Sequence, residues 1–274
     1  DFKSPHTGLA AKKVWFFFDK TYVCLGTDIS SRMKNQVLTT VNQCLLNGQV
    51  TVSDADGIHP QERGSRMKKG VRWVVHDRVG YYFLNKENVI LSNQRTEGSW
   101  KIANRQTTTP TDIIQQDVFT LSVDHGSYPN NEGYAYMVVP SADPLSIEKQ
   151  VEEEGVVVLA NCPDVQAVRH DGLNMAYAVF YKGGTLRIHD KIVVEMDAPG
   201  MLMVKYNDAG EILTLGVSDP TRFMKKLHLS VNQRIVGTAQ ENIQTEWDGK
   251  QALTRISVDL PQNEYAGKSV IYNK

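Results

Sequence analysis

The sequence predicts an all-β protein: a large antiparallel β-sandwich followed by a smaller C-terminal β-domain. Three observations lead there. Short aromatic and β-branched runs recur along the whole chain. Polar or glycine-containing turns separate them, a pattern that favours a sandwich over a helical bundle. A single stretch, residues 141–155, carries helical punctuation, and it falls between two series of strands.

Taken in order, Val14 to Phe18 and Tyr22 to Leu25 read as paired strands around Asp19-Lys20. Val37 to Leu46 is the next strand. Asn47-Gly48 is a strong turn dipeptide, so Gln49 to Val52 is expected to return beside it. Ser53 to Arg72 reads as the longest irregular segment, a mixed-charge loop. Val71 to Val75 and Tyr81 to Leu84 flank a turn at Asp77 to Gly80. Lys101-Ile102-Ala103, Val118 to Val123 and Tyr134 to Val139 continue the strand series.

The helix is expected to start at Ser146 as N-cap and stop at Gly155. Ile147 and Val151 share one face, and Glu152 to Glu154 form a solvated side. A domain boundary follows, giving domains 1–155 and 156–274. Short strands resume at Val156 to Asn161, Val165 to Val168, Ala176 to Tyr181, Thr185 to Ile188, Ile192 to Glu195, Met201 to Tyr206 and Ile212 to Val217. Asp248-Gly249 marks a later turn.

The 274 residues suffice for one large or two ordinary domains. A formal net charge of −1 provides no global basic field, so nucleic acid is not an expected partner. No apolar run approaches the roughly 20 residues of a membrane span. The chain opens with Asp1 rather than Met, the expectation for a processed or cleaved product. Cys24, Cys44 and Cys162 are too few for a disulfide framework and lack CxxC spacing. They read as free thiols, with a Cys24–Cys44 bridge as the one alternative pairing.

The seven histidines show no metal-binding spacing, and no GxSxG, Walker or GxGxxG motif occurs. His125, within Asp124-His125-Gly126-Ser127-Tyr128-Pro129, could pair with a tyrosine as base and acid. The expected role is structural: a ring hydrogen-bonded into its own turn. In a strand, Trp15 and Phe17 face one way and Phe16 and Phe18 the other, so one pair must enter the core. Core packing is the default for Trp15; the alternative is stacking on a sugar ring. Arg63, Arg66 and Arg72 could hold uronate or sulfate groups bidentately, or simply be part of a solvated loop.

A set of segments carries more than its members do singly. Trp15-Phe16-Phe17-Phe18-Asp19, Cys24-Leu25-Gly26 and Thr39-Thr40-Val41-Asn42-Gln43 are followed by Gly98-Ser99-Trp100 and Tyr134-Ala135-Tyr136 with Pro140. In this order they resemble polysaccharide lyases of family 8. Val165 to His170, followed by Ala178-Val179-Phe180, is similar to the start of the family's C-terminal domain. The resemblance spans about residues 10–220. Cys24 to Asp28 and Gln166 to His170 look most like chondroitin AC lyases.

The resemblance implies an N-terminal α/α-toroid, absent from this sequence, a central sandwich and a C-terminal β-domain. It implies a secreted or periplasmic enzyme that removes the C5 proton of a hexuronate and eliminates the 4-linked sugar. An Asn, a His–Tyr pair and an Arg of the toroid would do this, so no catalytic residue is assigned here. The implied partners are an acidic polysaccharide, chondroitin sulfate or hyaluronan, and the upstream toroid. Trp15 is placed near the substrate cleft, with Arg63, Arg66 and Arg72 as further substrate contacts. No cofactor is required; Asp1, in an Asp1-Phe2 pair, is implied as a calcium ligand, with the remaining ligands upstream. The alternative reading is a non-catalytic carbohydrate-binding β-sandwich.

Overall fold

The computed structural model describes residues 1–235 and 241–274. The chain divides into two units, Asp1–Gln150 and Val151–Lys274, with the division inside a helix. Ten strands build the first: β1 (Phe2–Lys3), β2 (Ala10–Phe17), β3 (Tyr22–Ser30), β4 (Gln36–Leu45), β5 (Val50–Asp54), β6 (Gly57–Pro60), β7 (Ser65–His76), β8 (Val79–Gly98), β9 (Ile114–Ser127) and β10 (Glu132–Pro140). They run in the order β1-β2-β3-β10-β8-β7-β5-β6, while β9 pairs with β8 and β4 pairs with β9.

The β7–β8 ribbon bends this sheet around its core. Asp77 and Arg78 both take positive φ, 48° and 63°, closing the hairpin with the twist of its strands. Farther along, Gly70 at φ 63° and register shifts between Lys68 and Trp73 break the ladder. Beyond the break, β8 passes from pairing with β10 to pairing with β9. Val52, Val74, Tyr81, Phe83, Leu91, Phe119 and Leu121 fill the space enclosed. Glu87 sits in the bend, where burial pushes its carboxyl up to about 7 against the donated Ala135 N–H.

Three expectations change. First, β5 does not return beside β4. Asn47 N–H donates instead to His76 Nε2 at 3.0 Å, and β5 pairs with β6 and β7. Second, the segment 53–72 is not irregular. Gly57 and Gly64, at φ 103° and 126°, make its tight turns, and β6 and most of β7 lie within it. Third, Lys101-Ile102-Ala103 is no strand. It lies in the short helix α1 (Trp100–Ala103), capped by Ser99, whose Oγ accepts from Lys101 N at 3.3 Å.

The second helix, α2 (Ile147–Glu154), ends at Gly155 with φ 60°. Asp143 organises its start: its Oδ1 accepts from Leu145 N at 2.8 Å, and its carbonyl accepts from Ser146 and Ile147. Ile147 is fully buried against Gly80, where a Cβ would collide with its side chain.

The second unit holds β11 (Val156–Asn161), β12 (Val165–His170), β13 (Met175–Phe180), β14 (Gly184–His189), β15 (Ile192–Met196), β16 (Gly200–Tyr206), β17 (Ile212–Ser218), β18 (Lys226–Val231), β19 (Ile243–Asp248), β20 (Leu253–Asp259) and β21 (Val270–Asn273). One sheet runs β11-β12-β13-β16-β17-β21, the other β14-β15-β18-β20-β19. A single apolar core draws on both, including Phe180, Ile192, Val204, Leu227 and Ile256, as in a sandwich. Among the described residues no helix is long and apolar enough to cross a membrane.

Candidate functional site

Strand β2 carries the residues that matter. Alternation places Lys13, Trp15 and Phe17 on one face and Val14 and Phe16 on the other. Val14 and Phe16 are buried, whereas Trp15 and Phe17 are 52% and 66% exposed. The default of core packing for Trp15 therefore fails, because β2 lies near the edge of its sheet. Beyond it only β1 follows, and β1 covers just Ala10 and Ala11. Two large rings on a partly uncovered strand are available to a ligand.

The neighbouring strands hold these side chains in place. Across the ladder Trp15 faces Cys24, then Tyr136, then Phe83. Phe17 stacks on Tyr22, with ring centroids 5.3 Å apart. Lys13 faces Gly26 and then Tyr134, and its Nζ lies 5.9 Å from the Tyr134 ring centroid. Gly26 is required there, because the Tyr134 ring lies where a Cβ would be. This gives the Cys24-Leu25-Gly26 segment a physical reason. Burial lowers the Lys13 ammonium below its usual range.

His125 stands beneath this row. Its ring is tilted beside Tyr134, and Nε2 is 2.9 Å from Thr39 Oγ1. Burial, with Lys13 nearby, pushes it down to about 4. It is a neutral packing group in β9, and its turn is shaped by Asp124 Oδ1 accepting from Gly126 N at 2.9 Å.

The three arginines do not form a cluster. Arg63 Nη2 is 2.7 Å from Asp117 Oδ1, and Arg66 Nη2 is 2.5 Å from Glu62 Oε2. Arg72 Nη1 is 3.4 Å from Glu148 Oε1, the oxygen that also accepts from Trp73 Nε1 at 3.2 Å. All three lie on or just before β7, with β3, β10 and β8 between β7 and β2. Four strand steps of about 4.8 Å put roughly 19 Å between Trp15 and the arginine strand. A monosaccharide cannot touch both; a polysaccharide chain can.

Asp1 precedes β1, whose pairing of Phe2 with Ala11 places it on the same sheet edge as Trp15. Among the described residues no group of three His, Cys, Asp or Glu side chains gathers that could hold a metal. The three cysteines are free, and burial pushes the Cys24 thiol up to about 11.

Sequence reasoning missed Lys13, Phe17 and Tyr22 as members of the site. The i, i+2, i+4 spacing of Lys13, Trp15 and Phe17 was the available signal.

Comparison with known proteins gives one answer for both units. The profile of the polysaccharide lyase family 8 super-sandwich domain matches residues 1–151, and that of the family's C-terminal beta-sandwich domain matches residues 157–228. Chondroitinase-AC of Pedobacter heparinus is 35% identical over 265 residues, 97% of this chain and 35% of that protein. Xanthan lyase of a Bacillus species is 27% identical, covering 78% of this chain and 24% of that protein. A solved chondroitinase AC lyase, from a study of its oligosaccharide complexes, superimposes with a TM-score of 0.82 at 34% identity, over 98% of this chain and 37% of that one. The fold is shared with Paenibacillus xanthan lyase at a TM-score of 0.84, over 98% of this chain and 26% of that one. This chain thus spans about a third or less of the length of these relatives.

Proposed function

Because this chain belongs to polysaccharide lyase family 8, we propose that it is the β-portion of a lyase acting on an acidic polysaccharide of the chondroitin type. The reaction is β-elimination at a hexuronate. A base removes the C5 proton, the electron pair forms the C4–C5 double bond, and the 4-linked sugar leaves with a proton from an acid. The proton-transfer groups lie outside this sequence, on an upstream toroid. The working location is secreted or periplasmic, where such polysaccharides are met.

The observation that supports this chain's own part is the β2 face on which exposed Trp15 and Phe17 stand beside half-buried Lys13. Trp15 and Phe17 offer flat apolar surfaces for the C–H faces of sugar rings, and Lys13 a cation for a uronate or sulfate. The arginine strand is the second contact, farther along the same polysaccharide. Binding here fixes the register of the chain, and positioning of this kind lowers the barrier for whichever groups move the proton.

The test is an elimination assay that follows the ultraviolet absorbance of the unsaturated uronate. This chain alone is expected to bind chondroitin sulfate without turning it over. A longer polypeptide containing it and the upstream region is expected to produce the chromophore. Full turnover by this chain alone, or none by the longer polypeptide on any acidic polysaccharide, contradicts the reading.

A further inference from the structure

Two loops of the second unit are stitched into a rigid tip. Asp219, buried at the end of β17, accepts four hydrogen bonds from the loop that follows: Thr221 N at 2.8 Å, Thr221 Oγ1 at 2.6 Å, and Phe223 N and Met224 N at 2.9 Å each. That loop is tied to the segment after β20. Gln262 Nε2 donates to Met224 O at 3.0 Å, and Leu260 N to Lys225 O at 2.8 Å. Arg222 reaches Asn263 O at 3.5 Å, and its stem runs close to Gly267, a φ 91° position where a Cβ would meet it at 3.2 Å.

Such scaffolding is more than an idle turn needs, and what it presents is distinctive. Phe223 is 87% exposed and Tyr265 60% exposed. Exposed Arg222 and Lys225 flank Phe223 along the chain, and Lys268 Nζ lies 6.0 Å from the Tyr265 ring centroid. Among the described residues of the two loops, Asp219 is buried and engaged by the four hydrogen bonds above, leaving Glu264 as the exposed carboxylate; Lys226 and Asp259 satisfy each other at 3.2 Å. Two exposed rings among surplus cations match the chemistry of an acidic polysaccharide, with apolar ring faces and anionic substituents on one chain. Holding the rings rigid before binding removes much of the ordering cost.

We propose that the Phe223–Tyr265 tip of the second unit is an accessory binding site for an acidic polysaccharide, separate from the β2 face. The inference rests on the acidic substrate class proposed above. The tip would hold a stretch of the polymer beyond the piece being cut.

The experiment is an equilibrium titration of the full chain with a chondroitin sulfate oligosaccharide, in a Trp15→Ala background that weakens the β2 face and gives the tip a larger share of the binding. Adding Phe223→Ser with Lys225→Gln and Lys268→Gln is expected to weaken binding about tenfold or more and to flatten its salt dependence. Phe223→Ser alone, at a site too exposed to unfold the domain, is expected to give part of that loss with an unchanged thermal midpoint. Unchanged affinity in both variants overturns the proposal. So does a Trp15→Ala chain that binds nothing; the elimination assay then still decides the lyase reading independently. Binding to phosphatidylglycerol vesicles without affinity for the oligosaccharide would overturn it in favour of a membrane surface.

Discussion

The two ends of one sheet offer opposite surfaces. At the β2 end, Trp15 and Phe17 stand exposed, with Lys13 beside them over Tyr134. At the β7 end, Arg63, Arg66 and Arg72 each meet a carboxylate, from Asp117, Glu62 and Glu148. The arginines are what a charge-based reading picks first. Their cost of desolvation is already shared with partners, and a ligand must compete for them. The exposed rings of Trp15 and Phe17 carry no charge for a protein carboxylate to compensate. Charge density along the sequence is therefore a weaker guide to a binding face than uncompensated exposure.

The largest expected effect sits beneath the aromatic end. His125 is held near 4, below its ordinary 6.5. The unfolded chain thus binds more protons between these values. The contribution of His125 is complete above pH 6.5 and is lost as pH falls through about 4, by about 3 kcal/mol. Urea melts against pH check this, and His125→Asn should remove this loss and expose the opposite slope of Glu87. Glu87, pushed up to about 7 from 4.5, works in the other direction: its contribution is complete below pH 4.5 and lost as pH rises through 7. Glu87→Gln should leave the His125 slope alone, with stability rising as pH rises from about 4 to 6.5. A variant that kept the slope of the group it had lost would count against the burial described.

Next comes Gly26→Ala, which drives a methyl into the Tyr134 ring. A cost of about 1–3 kcal/mol in a urea melt is expected, together with weaker oligosaccharide binding as Lys13 loses its platform. Trp15→Ala should instead leave the melt within about 0.5 kcal/mol, as for exposed positions, yet weaken oligosaccharide binding at the β2 face about tenfold, or about 1.4 kcal/mol. Calorimetric titration in a Phe223→Ser background would read it. Smallest of all is the other end. Arg63→Gln, Arg66→Gln and Arg72→Gln should each cost about 0–1 kcal/mol in stability, since their pairs are half exposed. Together they should change affinity less than Trp15→Ala does. If the arginine triple were the more damaging, the comparison of the two ends would be reversed.

Much of the fold was legible because pattern and turn chemistry are local. The hairpin of β2 and β3, the β7–β8 turn at Asp77–Gly80 and the stop of α2 at Gly155 can each be read from a few adjacent residues. What failed was pairing between distant segments. Asn47-Gly48 has strong hairpin chemistry, but His76, 29 residues away, takes the Asn47 N–H and diverts the chain. The 53–72 segment conceals its strands because Asp56-Gly57, a hairpin dipeptide, lies among charged residues that together read as a loop. In the site, Trp15 was found through the Trp-Phe-Phe-Phe run. Its exposure was not, because that follows from β2 lying near a sheet edge. The clustering of the arginines was an effect of sequence proximity on an extended strand.

The most direct test of the central claim, that the β2 face meets the polysaccharide, is tryptophan emission on adding a chondroitin sulfate oligosaccharide. The accessory tip contains no tryptophan and is silent in this measurement. The emission should shift in the wild-type chain and in the arginine triple variant, and the shift should vanish in Trp15→Phe. A shift that survives in Trp15→Phe, or that disappears only with the arginines, would place the contact elsewhere and contradict the account.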